Sequence, residues 1–324
     1  MAQRGAVSGV LVARETGERL AYGTVAIASL GREQFTDDSG SFFIGSLPAG
    51  RLELRVRRLG FHPATLILHV LPDVTDTLRV ELQRLAVALE RVTVRAWPPC
   101  ANPGPPDAAH DSTLAFVFEQ LRLNAEQFKL LSRSYPYTYK MSRTLTSRLR
   151  ETGKLSLNYH GVMTLRSDTR REYKPGEVIR RRGRATVFLI PTLAELADDR
   201  FVRSHCYHYA GLDKVDSVDM VRIDVIASDS LEGPDVNGAM YLDPQSYQIR
   251  RTVFHLSRRD RRTRHIADMR VTTDFGEVMP SIPIIVEVSS VQAMDPEVKG
   301  DIIEAYEAQS LLDFAFRGKR PGGG

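Results

Sequence analysis

Along residues 1–96, apolar positions alternate with polar ones in short runs broken by turn residues, the period-two signature of half-buried strands. "AVSGVLVARETGERL" reads as a strand ending in a Glu-Thr-Gly turn, and "GTVAIASLG" alternates Val25, Ile27 and Ser29 with smaller residues. Leu52, Leu54 and Val56 alternate with Glu53, Arg55 and Arg57, so one face is buried and the other wet. "REQFTDDSGSFFIGSLPAGRLELRVRRLGF" is expected to form two hairpins in succession, turning at Asp37-Asp38-Ser39-Gly40 and Leu47-Pro48-Ala49-Gly50. "DTLRVELQRL" and "LERVTVRA" repeat the strand pattern. The expectation for 1–96 is an all-β sandwich.

The pattern then changes. "WPPCANPGPPDAAHD", residues 97–111, is rich in proline and has no apolar period, which predicts a semi-rigid linker. Next, Leu114, Val117, Phe118, Leu121, Ala125 and Phe128 recur at spacings of three and four, one stripe of an amphipathic helix capped by Asp111 or Ser112. With Arg122 and Lys129 as the basic residues of its body, the helix is expected to pack on its own sheet rather than on a membrane surface. From Tyr137 the chain is again strand-rich, with a short helical piece at "TLAELADD" before a strand "FVRSHCYHY". Eight to ten long antiparallel candidates behind one helix predict a curved sheet or half-barrel over residues 112–317, with the helix closing its concave side. Residues 318–324 are expected to be a disordered tail.

Two stretches carry family resemblances. Gly9, Thr16-Gly17, Gly23-Thr24-Val25, Thr36-Asp37-Asp38-Ser39-Gly40, Phe42, Leu47-Pro48-Ala49-Gly50 and Arg57-Arg58-Leu59-Gly60-Phe61 form an ordered set. That set resembles the carboxypeptidase regulatory-like domain, a transthyretin-like β-sandwich common in bacterial envelope proteins. The resemblance implies an adaptor, not a peptidase. The zinc carboxypeptidases use His-x-x-Glu, and none of the eight histidines here has Glu three residues later. "DVNGAMYLDPQSYQIRRTVFHL" resembles a hairpin of lipoprotein-carrier-like envelope proteins, which implies a concave apolar face for acyl chains. In those carriers an arginine at the mouth retains the lipid; the motif assigns no such arginine here.

Composition narrows the function classes. The formal charge is +4, with 44 basic against 40 acidic residues. Arginines concentrate at Arg170–Arg184 and Ser257–His265, each between strand-like runs, which predicts solvated hairpin ends. Aromatic residues are not interleaved with them, so no nucleic-acid partner is expected. No apolar run is long enough to span a bilayer, so membrane contact is expected to be peripheral at most. Ala-Gln after the initiator Met suggests a mature N-terminus behind a removed leader, and therefore a protein of the periplasm or cell envelope.

Compact catalytic signatures are missing: there is no Gly-x-Ser-x-Gly, no phosphate loop and no Gly-x-Gly-x-x-Gly. Asp198-Asp199, near Arg200 and Arg203, read as solvated charges. Glu151, Asp168, Asp224 and Asp229 have no spacing that marks them. Asp37-Asp38-Ser39 offers hard oxygens for calcium, but too few, so a turn is expected. No cofactor is expected. The dense stretch is "HCYH" at 205–208. On a strand, Cys206 and His208 share one face while His205 and Tyr207 share the other. Four readings stand: free buried thiols; a nucleophilic Cys206; a metal set of Cys100, His110, Cys206 and His208; and a disulfide between Cys100 and Cys206. The disulfide is carried forward, because export favours it and the chain has two cysteines. Closing a loop of that length is worth at most about 4–5 kcal/mol.

The expectation is a non-enzymatic envelope protein: an adaptor sandwich plus a binding module for an acyl chain, a glycan or an envelope partner protein. The alternatives are an envelope hydrolase with its site in the interdomain cleft, and a structural part of an outer-membrane receptor assembly.

Overall fold

The computed structural model describes residues 4–85, 97–169, 173–182, 185–261, 263–297 and 299–322. The strand expected at Leu89–Ala96, and with it the boundary at 96, lies outside them. The fold is mainly β.

Seven strands build the first layers: β1 (Arg4–Ala13), β2 (Thr24–Ile27), β3 (Arg32–Phe35), β4 (Ser41–Pro48), β5 (Gly50–Arg57), β6 (Ala64–Val70) and β7 (Thr75–Leu82). They form two sheets, β4-β1-β7 and β3-β2-β5-β6, with Leu11, Ile27, Ile44, Leu54 and Leu82 buried between them. This corrects the two successive hairpins. β3 and β4 lie in different sheets, as do β4 and β5, so the Asp37 and Pro48 turns are corners between layers. The Asp37 corner is tight because one carboxylate oxygen accepts from Ser39 N, Ser41 N and Ser39 Oγ, and Gly40 takes φ 73°. That oxygen is committed to the turn, not to calcium.

Helix α1 (Ser112–Ser134) follows, with the Asp111 carboxylate accepting from Leu114 N at 2.8 Å. β8 (Tyr137–Leu149) and β9 (Leu155–Arg166) come next, then a small hairpin of β10 (Ile179–Arg182) and β11 (Ala185–Phe188). A short helix α2 (Asp199–Val202) takes the first residues of the expected strand at 201, because the Asp198 carboxylate caps Arg200 N. The rest is a meander: β12 (His205–Val215), β13 (Val218–Ala227), β14 (Val236–Leu242), β15 (Ile249–Leu256), β16 (Ile266–Met279), β17 (Ile282–Met294) and β18 (Ile302–Phe316). Nine of these strands make one antiparallel sheet, ordered β12-β13-β14-β15-β16-β17-β18-β8-β9, that does not close into a barrel.

α1 touches β12 and β13 near one edge of that sheet and β17 four strands away, so the sheet curves around it. Val117, Phe118, Leu121 and Ala125 are buried against Tyr207, Ile223, Val225, Met240 and Phe254. Asn124 is fully buried and ties the helix to the β14–β15 turn: its amide donates to Tyr247 O and its carbonyl accepts from Ile249 N, both at 2.9 Å. The other side of α1 holds the sandwich. Gln120 Oε1 accepts from Gly60 N at 3.0 Å, and Arg57 bridges Glu33 and Glu126. Leu130 and Leu131 share one apolar cluster with Tyr22 and Phe35 of the sandwich and Ile282 of β17. Burial lowers the Arg58 guanidinium to about 10, against the pull of Glu277. Residues 318–322, expected as a disordered tail, run back to the sandwich, where Pro321 is buried and Gly322 lies against Asp37.

Phe118 is 2% exposed at the centre of the α1–sheet contact. Phe118→Ala is expected to lower unfolding free energy by about 3–5 kcal/mol, read from urea unfolding followed by circular dichroism.

Candidate functional site

The linker wraps around the β12 edge of the large sheet. Trp97 packs edge-on to His255 of β15, centroids 6.0 Å apart. Cys100, fully buried, is disulfide-bonded to Cys206 on β12 with Sγ–Sγ 2.12 Å. Gly104 N then donates to His205 O and Asp229 N to Cys100 O, so the linker is stapled to the start of β12 and to the β13–β14 connection.

The four residues of the metal set are not gathered. Both sulfurs are in the disulfide. His110 is exposed and hydrogen-bonded to Asp107 at 2.8 Å. His208 faces the outer side of the sheet opposite Asp224, whose carboxyl is pushed up by burial and pulled down by Arg222. Among the described residues no group of three or more His, Cys, Asp or Glu side chains could hold a metal.

His205 instead belongs to a buried network the sequence pattern did not single out. Its Nδ1 lies 2.8 Å from Phe201 O, its ring stacks on Phe201 at 4.0 Å, and Nε2 sits 3.5 Å from the Asp235 carboxylate. Asp235 accepts from Tyr173 OH, Gly176 N and Val236 N at 2.7–2.8 Å. His205 and Asp235 have no solvent exposure. No substrate reaches this cluster; it fastens the loop before β10 to the edge of the sheet.

The concave face that would hold an acyl chain in a carrier is filled by α1. Between Phe128, Tyr137, Ile284, Leu311 and Phe314 a cleft of about 20 Å³ remains, roughly the room for one water. On the outer face, β15, β16 and β17 frame an open depression of about 200 Å³.

The sheet continues as a wing of β17, β18, β8 and β9, packed on α1 near Tyr137, Ile284, Leu311 and Phe314 and mostly exposed only at β9. Cross-strand pairs Arg143–Glu307, Arg148–Glu304 and Lys140–Asp313 lace it at 2.8–3.2 Å. Its last strand, β9, pairs among the described residues only with β8 and exposes Leu155 (59%), Leu157 (65%) and Val162 (57%). A bulge opposite Leu145/Thr146 turns Leu157 and Tyr159 to opposite faces. From Leu155 to Leu165 the strand carries no Asp, Glu, Lys, Arg or Pro, the residues that usually guard a free edge. That uncharged run is the sequence signal that was available for this edge.

Of the two arginine clusters, the first has Arg170, Arg171 and Arg184 outside the described residues. In the other, Arg258 donates to Leu231 O and Arg259 pairs with Asp295.

Residues 6–83 match the carboxypeptidase regulatory-like domain. No curated protein matches the chain. Among solved structures, the minor pilin of Streptococcus agalactiae is similar at 18% identity and TM-score 0.24 over 29% of this chain; the chain spans 50% of that pilin. A putative outer membrane lipoprotein-sorting protein domain from Vibrio parahaemolyticus is similar at 11% identity and TM-score 0.31, over 62% of this chain and 93% of that one. A DUF1329 family protein from Desulfovibrio piger is similar at 8% identity and TM-score 0.34, again over 62% and 93%. At these values the likenesses concern fold alone.

Two outcomes follow from the site. Cys206→Ser is expected to cost about 2–5 kcal/mol of unfolding free energy, since the cross-link spans 106 residues; non-reducing denaturant titration of both forms measures it. Burial pushes the Tyr137, Tyr173 and Tyr207 hydroxyls above the ordinary value of 10.0, with Asp235 adding to the effect at Tyr173. These phenols stay protonated in the fold while the unfolded chain ionises. Their contribution is therefore present below about pH 10 and falls as pH rises above it. Urea midpoints should drop between about pH 9.5 and 11, and less steeply in Tyr207→Phe.

Proposed function

We propose that the chain is an exported, non-catalytic adaptor of the bacterial envelope that engages a protein partner through the β17–β18–β8–β9 wing. One observation carries the reading: α1 packs into the concave face, while the wing ends on β9, an edge strand mostly exposed and uncharged from Leu155 to Leu165. A free, uncharged edge is a template for an added strand, with main-chain hydrogen bonds giving affinity and alternate side-chain contacts giving specificity. At the opposite edge the linker is fastened to the first residues of β12, His205 and Cys206, a tie that β9 does not have.

Export is supported by the disulfide and by the regulatory-like domain, which serves here as the frame that α1 docks onto. An acyl cargo is disfavoured by the filled interior. A hydrolase in the interdomain cleft is disfavoured because that junction is packed by Leu130, Leu131, Tyr22 and Phe35.

A photo-crosslinking residue placed at Leu157 or Val162 in the native host should yield a discrete protein adduct, whereas one at exposed Ile67 of the sandwich should not. Equal labelling at all three sites, or none at Leu157 and Val162, would contradict the reading.

A further inference from the structure

The outer depression on β15–β16–β17 meets the wing only at β17, lies three strands from the β9 edge, and has no part in the packing of α1. Its floor is Val253, Thr272 and Ser289, which stand side by side in register across the three strands. All three are short, so the floor sits below the long side chains around it and offers two hydroxyls beside an aliphatic surface. Arg251 forms one wall, its guanidinium held by Asp274 and Asp216, so its charge is already matched. Arg270 forms the other wall. It is exposed and has no acidic partner among the described residues. Outside the lining, Arg270's register neighbour His255 carries Trp97, the chain's one tryptophan, 38% exposed.

An unmatched guanidinium beside hydroxyls and short aliphatic groups is a recognition set for an anion attached to a polyol. The cation supplies a charge-assisted hydrogen bond, Thr272 and Ser289 exchange hydrogen bonds with ring hydroxyls, and Val253 takes an apolar ring face. At about 200 Å³ the space is below the roughly 300–1,000 Å³ of drug-sized sites, which fits one sugar ring rather than a long chain. Trp97, which reaches the site only through His255, offers both an apolar face and a donor to a longer ligand. The acid nearest in sequence, Asp268, faces His255 at 3.6 Å rather than Arg270.

We infer that this depression is a binding site for an anionic sugar, with Arg270 receiving the anionic group and Thr272 and Ser289 the ring hydroxyls. The anion has two chemical sources, a uronate carboxylate or a sugar phosphate, and the test separates them. Titrations of isotope-labelled full chain, followed by NMR, would use glucuronate, glucose 6-phosphate, neutral glucose and inorganic phosphate. Saturable shifts at Thr272, Ser289 and Arg270 with one of the two anionic sugars, and weaker shifts with glucose and with phosphate alone, support the site and name its anion. Arg270→Gln should weaken that sugar about tenfold or more, and Thr272→Val should weaken it while leaving the thermal unfolding midpoint unchanged. The inference is overturned if neither sugar binds at millimolar concentration, if phosphate alone binds as tightly, or if Arg270→Gln binds as well as the parent. None of these results bears on the proposed partner edge, because Val162 and Leu157 lie on β9, three strands from β17.

Discussion

The burial of one helix decides what the rest of the molecule can do. α1 presents apolar side chains to three neighbours at once: the curved sheet, the sandwich and the segment around Leu193 and Leu196. Two of its buried amides are spent in the same way, Gln120 on Gly60 and Asn124 on the β14–β15 turn, while Gln127, also fully buried, has no hydrogen-bond partner among the described residues. A helix satisfied on so many sides is costly to move, since each buried large side chain contributes about 2–3 kcal/mol and each satisfied buried amide leaves an orphan if withdrawn. The sandwich and the sheet are therefore held in one arrangement.

This constraint turns function outward. The concavity of the half-barrel is occupied by α1, and the groups discussed above as accessible lie on its outer face and at its far edge. The two edges of the sheet differ in kind. The linker is fastened to the start of β12 by the disulfide and a backbone hydrogen bond. β9 is bare, uncharged over most of its length, and held in place by cross-strand ion pairs further in, which are worth little individually at a surface. Such an edge is a hazard unless something pairs with it.

Much of the architecture was legible before the structure. The three-and-four spacing from Leu114 to Phe128 marks α1, Asp111 marks its start, and the long alternating runs after Tyr137 mark the strands of one antiparallel sheet. The layer crossings at Asp37 and Pro48 were not legible as such, because a turn residue fixes a reversal of the chain but not which sheet receives the next strand. The start of β12 was misplaced because Asp198 caps a helical turn that outweighs the β-pattern of Phe201 and Val202. His205, Asp235 and Tyr173 are far apart in sequence and share no spacing, so their buried network could emerge only from the fold. The same holds for the Val253–Thr272–Ser289 floor, where each residue is unremarkable on its own strand.

The central claim is that the concave face is closed by α1 and carries no lipid. Native mass spectrometry of the intact protein released gently from the host envelope, paired with mass analysis of an organic extract, tests it most directly. The account predicts a protein mass with no acyl-chain adduct and an extract free of stoichiometric lipid. A lipid retained in a one-to-one ratio and released only on unfolding would contradict it.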